Sequence, residues 1–132
     1  MGISYFVIYV KDIERSIAFY RDVLGLEKGH NYSEEDGKIH KCFMCNPGTK
    51  PMIDWPMIEL VEGMEGKSTE QSGHLIGIEV ASVAEAEKNL IKQGFAPNAP
   101  AFSPGPGCMV EEFNGPDGEL IEIMEITDRS LF

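Results

Sequence analysis

The chain has no long hydrophobic run, little positive charge, few cysteines and a single tryptophan. No apolar stretch reaches the roughly 20 residues that a helix needs to span a bilayer. Met1 to Tyr5 lacks the basic start and apolar core of a secretory leader. These absences point to a soluble cytoplasmic protein. Only 11 Lys and Arg stand against 22 Asp and Glu, a formal net charge of −11. That balance argues against nucleic acid and anionic membranes as partners, because both need their phosphates neutralised. It suits a cationic ligand or a bound metal. Three cysteines are an odd count and support no disulfide framework. Cys42 and Cys45 have the spacing of a redox or zinc pair, but there is no second pair, and in a strand positions three apart face opposite ways. Cys108 reads as a buried thiol. The glycines of Ser103 to Gly107 have neither the spacing nor the following helix of a dinucleotide-binding loop.

What the chain does contain is a repeat. Met57-Ile58-Glu59-Leu60-Val61-Glu62 is echoed by Leu120-Ile121-Glu122-Ile123-Met124-Glu125. A carboxylate inside an apolar β-run is costly to bury unless something positive meets it. Two of them at equivalent places suggest one shared site, with a metal ion as the natural partner.

The repeat is wider than the hexapeptide. Ile3 to Val10 reads as a strand, followed by a helix capped by Asp12 and closed by Gly25, with Ile13, Ile17, Tyr20 and Leu24 on one stripe. His74 to Val80 reads as a strand, followed by a helix capped by Ser82 and ended by Gly94, with Val83, Ala86 and Leu90 as its apolar stripe. Glu85 and Glu87 read as a solvated helix face. Three strands are expected after each helix: Leu26 to Tyr32, Lys38 to Cys45 and Pro56 to Val61, then a short run near Ala99 to Phe102, Cys108 to Phe113 and Glu119 to Ile126. Asn46 to Trp55 reads as a loop, and Asn114 to Gly118 as a hairpin turn. The expected fold class is α+β, with the order βαβββ twice. One domain covers 1–132, with module one at 1–62, a linker at 63–73 and module two at 74–127. With 42% hydrophobic residues the chain can fill one such core.

Each sheet would have one face covered by its own helix, leaving the other for a ligand or partner. Alternation puts Phe6, Ile8, Val10, Ile58, Leu60, Ile121 and Ile123 on the helix sides. The opposite sides then carry Tyr5, Tyr9, Glu59, Glu79 and Glu122, read as the lining of one cup. His40 reads as facing solvent. Met57, Met64, Met109 and Met124, with Trp55 and Phe102, are either a ligand wall or ordinary packing.

The stretch Val10-Lys-Asp-Ile-Glu-Arg-Ser-Ile-Ala-Phe-Tyr-Arg-Asp-Val-Leu-Gly25, the Glu59 strand, and Pro116-Asp-Gly118 before Leu120-Ile-Glu122 together resemble the vicinal oxygen chelate superfamily. That superfamily includes glyoxalase I, bleomycin-resistance proteins and extradiol dioxygenases. The resemblance implies two tandem βαβββ modules forming an open, cup-shaped barrel around a ligand or metal, usually in a homodimer. It also implies four ligands around a divalent ion, two of them at Glu59 and Glu122. The other two positions fall on Tyr5 and Leu75; a β-bulge would bring His74 inward in place of Leu75.

Two principal readings follow. In the first, Glu59, Glu122 and His74 hold a divalent ion (Ni, Zn, Mn or Fe), and Tyr5, Tyr9 and Glu79 line the substrate pocket. Glu122 then moves a proton while the metal stabilises an enediolate, in lyase or isomerase chemistry on a small substrate with adjacent oxygens. In the second, the chain is a metal-free protein that sequesters a ligand in the same cup, as bleomycin-resistance members do. A third and weaker reading, a ferrous dioxygenase, wants two histidines and a carboxylate, and the chain places at most one histidine well.

Overall fold

The computed structural model describes residues 3–50, 54, 56–68 and 75–131. The chain divides into two compact units, Met1–Glu70 and Gln71–Phe132. No helix among the described residues is long and apolar enough to cross a membrane.

In the first unit β1 (Tyr5–Val10), β2 (Glu27–Glu34), β3 (Ile39–Cys45) and β4 (Met57–Glu62) form one sheet in the order β1-β4-β3-β2. β1 runs parallel to β4, and the other pairs are antiparallel. β4, an interior strand, is buried on both faces from Met57 to Val61, its apolar run interrupted only by the buried Glu59. Between β1 and β2 lies α1 (Ile13–Ala18), which passes directly into a π-helical turn at Phe19–Val23. Asp12 caps α1 by accepting the Arg15 N–H at 3.2 Å, the contact its short carboxylate makes well at an extended cap residue.

The second unit has three strands, β5 (Leu75–Glu79), β6 (Cys108–Asn114) and β7 (Leu120–Ile126), in the order β5-β7-β6. β5 runs parallel to β7, and β6 antiparallel to it. α2 (Val83–Lys92) follows β5 and packs on β6 and β7. The strand expected near Ala99 to Phe102 does not form. Residues 97–102 make only two isolated bridges, Pro97 to Phe113 and Phe102 to Val110, and just the second falls in the expected run. Pro97 and Pro100 have no N–H to give a ladder, so pairing cannot propagate between those points.

The second glutamate of each hexapeptide explains why helix and sheet register alike in both units. Glu62 accepts the Ile13 N–H at 2.9 Å, and Glu125 accepts the Val83 N–H at 2.9 Å. Each carboxylate thereby satisfies an orphan donor in the first turn of its helix, where the dipole favours negative charge. These bonds also fix which strand face meets the helix: Ile58 and Leu60 with Glu62, and Ile121 and Ile123 with Glu125. All four apolar residues are buried, three of them completely. Full burial of one such side chain stabilises by about 1.5–3 kcal/mol.

The helix ends differ by one residue. Asp12 to Gly25 is one position longer than Ser82 to Gly94. In the second unit Phe95 N–H bonds to Leu90 C=O and Gly94 N–H to Ile91 C=O, a Schellman end. In the first, Leu26 N–H reaches Tyr20 C=O and Gly25 N–H reaches Arg21 C=O. Each of those loops spans one residue more, and the π turn absorbs the insertion.

Candidate ligand-binding site

The uncovered face of the first sheet is built by alternation. β1 contributes Tyr5, Val7 and Tyr9; β4 contributes Met57, Glu59 and Val61; β3 contributes Lys41, Phe43 and Cys45; β2 contributes Tyr32. Glu59 sits in the middle of this face, between Val7 and Phe43. Its residue is 5% exposed. The Lys41 ammonium lies 3.8 Å from it but donates its close hydrogen bond, 3.1 Å, to Glu34. Among the described residues no hydrogen bond reaches the Glu59 carboxylate. Burial pushes that carboxyl above its ordinary value, and the neighbouring Glu34 adds to this; Lys41 opposes it and does not win. The bond to Glu34 holds Lys41 above its own ordinary value despite burial.

Aromatic rings surround this pair. Tyr5 meets Phe43 edge-on, with centroids 5.3 Å apart. Lys41 lies 5.9 Å over the Tyr32 ring, and His30 stacks on the same ring at 4.7 Å. Phe43, Cys45 and Met57 pack beneath, with Tyr32 against them. Tyr5 and Val7 remain exposed on this face, as Phe6 does on the other side of β1.

In the second unit the uncovered face carries Leu75, Gly77 and Glu79 of β5, Leu120, Glu122 and Met124 of β7, and Cys108, Val110 and Glu112 of β6. Glu122 has Gly77 on one side and Glu112 on the other. Glu112 accepts a hydrogen bond from the Asn98 amide at 3.0 Å. A Cβ built on Gly77 would meet nothing, so open space lies beside Glu122. Glu79 is ion-paired with Arg129.

The structure thus sets Tyr5, Tyr9 and Glu59 on one face of the first unit, and Glu79 and Glu122 on one face of the second. His74 and Trp55 lie outside the described residues. His40 stands on the helix side with Cys42 and, as expected, keeps its side chain in solvent, 44% exposed; its Nδ1 is 3.1 Å from the Ser33 hydroxyl, and its Nε2 is 4.0 Å from Glu62. Several other expectations change. The methionines form no single wall: Met109 and Met124 point to opposite faces of one sheet. Glu87 is not part of a solvated face, since it is half-buried and meets Glu111. Cys42 and Cys45 are free, buried thiols on opposite faces, and burial pushes Cys42 up to about 11. Such a thiol is protonated and unreactive.

Sequence reasoning missed Lys41, Tyr32 and Phe43. Their signal was present in the alternation of β3, since Lys41 and Phe43 share the parity that faces Glu59 across the ladder. It went unread because the register of β3 against β4 is a long-range fact.

A divalent ion needs several converging oxygen or nitrogen donors. Around Glu59 the first unit offers its own carboxylate and that of Glu34, both drawn to the Lys41 ammonium, with the phenols of Tyr5 and Tyr32 nearby. Among the described residues no three His, Cys, Asp or Glu side chains converge on a point that suits a metal. The described residues of this face do not fit a metal ion, because Lys41 already brings the positive charge.

The family model described as Glyoxalase/Bleomycin resistance protein/Dioxygenase superfamily matches residues 2–123. Comparison with curated proteins finds no match. Among solved structures, the trypanothione-dependent glyoxalase I of Leishmania major is 23% identical with a TM-score of 0.77, covering 95% of this chain and 86% of that one. An antibiotic-binding protein from Streptomyces sp. CB03234 is 19% identical with a TM-score of 0.72, covering 96% of each chain. A genomically encoded fosfomycin resistance protein from Listeria monocytogenes is 20% identical with a TM-score of 0.69, covering 95% and 93%. At these identities the likeness is one of fold, and enzymes and binding proteins share it.

Proposed function

Since the chain belongs to the glyoxalase/bleomycin resistance protein/dioxygenase superfamily, we propose that it binds and sequesters a small organic ligand without a metal. One observation carries this reading: the buried Glu59 carboxylate is held loosely by Lys41 and ringed by Tyr5, Tyr32 and Phe43. A carboxylate with spare acceptor capacity in a partly dry, aromatic setting seeks a donor, and an N–H or ammonium group of a ligand supplies it. Flat rings on the ligand would cover Tyr5 and Val7. The net charge of −11 draws a cationic molecule toward the site. In this reading the two modules act as one domain over 1–132, and the working form is a homodimer.

The repeat itself favours a second reading. Glu59 and Glu122 occupy the same place in two copies of one hexapeptide, as a metal-dependent lyase or isomerase acting on a small substrate with adjacent oxygens would require. His74 would add a ligand, and Tyr9 and Glu79 would line the pocket.

One experiment separates the two. Protein purified without added ions is assayed for bound metal, titrated with nickel, zinc, manganese and iron, and screened by thermal shift against aromatic cationic antibiotics, bleomycin among them. Sequestration predicts ligand-dependent stabilisation that survives EDTA and weakens roughly 10- to 100-fold in affinity for Glu59→Gln, the range of a charge-assisted hydrogen bond. Stoichiometric metal binding abolished by Glu59→Gln and by Glu122→Gln would establish the lyase reading instead.

A further inference from the structure

The second unit holds a carboxyl pair that the proposed site does not use. Glu111 lies on the helix side of β6, opposite Ile123, and is 2% exposed. Its Oε1 has no hydrogen-bond partner among the described residues. Its carboxyl meets two other elements: the Glu87 carboxyl on α2 and the backbone N–H of Ala101.

No cation among the described residues offsets this pair. On α2, Lys88 is exposed and pairs with Glu85 at 3.3 Å, and Lys92 is exposed. β7 presents Ile123 and Glu125 on this side, and Glu125 is committed to the Val83 N–H. β5 presents Ile76 and Ile78, and the segment from Pro97 to Phe102 contains no titratable side chain. Arg129 is taken by Glu79 on the other face. Two carboxyl groups in contact, one of them fully buried and neither beside a cation, cannot both be ionised without cost. One proton between them turns repulsion into a hydrogen bond.

We propose that Glu87 and Glu111 form a proton-operated latch, in which a single shared proton ties α2, β6 and the 97–102 segment together and its loss loosens that junction. Burial first, then the adjoining Glu87, push the Glu111 carboxyl up to about 7, while the Ala101 N–H pulls it slightly back. The latch therefore works in the physiological range. A cavity of about 230 Å3 lies beside it, with Glu87, Ala101 and Met109 among its walls, and an ionised Glu87 has room to turn into it. The next residue along β6 is Glu112, which stands opposite Glu122 on the uncovered face and is held by Asn98 of the same segment. Opening the latch would thus reach the ligand-facing side of this unit through one peptide bond and one loop.

The direction with pH follows from the raised proton affinity. Stability lent by the pair is complete below the ordinary carboxylate value of 4.5 and is lost as pH rises through about 7. The test is urea unfolding of the full chain from pH 5 to pH 8.5 for wild type, Glu111→Gln and Glu87→Gln, with carboxyl 13C NMR titration of wild type. The wild-type midpoint should fall across this range, and both variants should flatten the slope. Glu111→Gln should be the more stable protein at pH 8. Amide exchange in 97–102 should quicken roughly tenfold beyond its intrinsic pH dependence in wild type only. An unchanged slope in Glu111→Gln, or a Glu111 carboxyl titrating near its ordinary value, would overturn the proposal. Should Glu111→Gln fail to fold, Glu87→Gln and the wild-type titration decide.

Discussion

The two units descend from one pattern, and their glutamates show which parts of it stayed fixed. Glu62 and Glu125 do the same job, each taking the first free N–H of its helix at the same distance. Glu59 and Glu122, three positions earlier, have diverged. Glu59 is buried beside a lysine and aromatic rings, while Glu122 is half-buried beside a second carboxylate and an open glycine. Positions that hold helix to sheet are constrained by geometry common to both copies. Positions on the uncovered face answer only to what they bind. The lesson is that the symmetric pair most conspicuous in sequence is not symmetric in environment.

Breaking each core gives the largest effect. Leu60→Ala in the first unit and Ile123→Ala in the second should each cost about 2–5 kcal/mol in urea unfolding, because both side chains are wholly buried. Unequal losses would show that one unit packs more loosely and collapses into the cavity. The next contrast is electrostatic. Lys41→Met strips from a buried carboxylate the one positive neighbour it has among the described residues and should cost about 1–3 kcal/mol, whereas Glu122→Gln should change stability by less than about 0.5 kcal/mol. Equal effects from the two would deny the asymmetry between the faces. Glu62→Ala and Glu125→Ala should each cost about 1 kcal/mol, and alike, since each removes one bond to a helix start. Clearly different values would break the claim that this device is shared.

The smallest effect is the pH dependence at Glu59. Its carboxyl is raised above its ordinary value by burial, so the folded state binds that proton more tightly than the unfolded state does. Stability is then greatest below the unfolded value and declines as pH rises through the folded one. Glu59→Gln should flatten that decline slightly; thermal melts between pH 4 and pH 8 check this.

Much of the fold was legible along the chain. Both caps, both terminating glycines and all seven strands that form follow from residue type and period, because those are local constraints. The region around Ala99 failed as a strand because apolar content outweighed its prolines in the reading, while ladder formation depends on the missing N–H groups. The site was legible only in outline. Glu59 and Glu122 stand out as carboxylates in apolar strands, yet nothing local announces that Lys41 reaches one of them. Glu87 looked like ordinary helix surface because its partner, Glu111, is 24 residues further along the chain.

By itself the order of residues determined the duplication, the period of each element, the face to which each side chain belongs, and the net negative charge. These depend on backbone geometry and composition alone. Tertiary structure decided which carboxylate meets an ammonium, which meets another carboxylate, and which merely ties down a helix. A charge is stable or costly according to the solvent and charges within a few ångströms, and those neighbours are brought together by strand register and helix docking, not by adjacency in the chain.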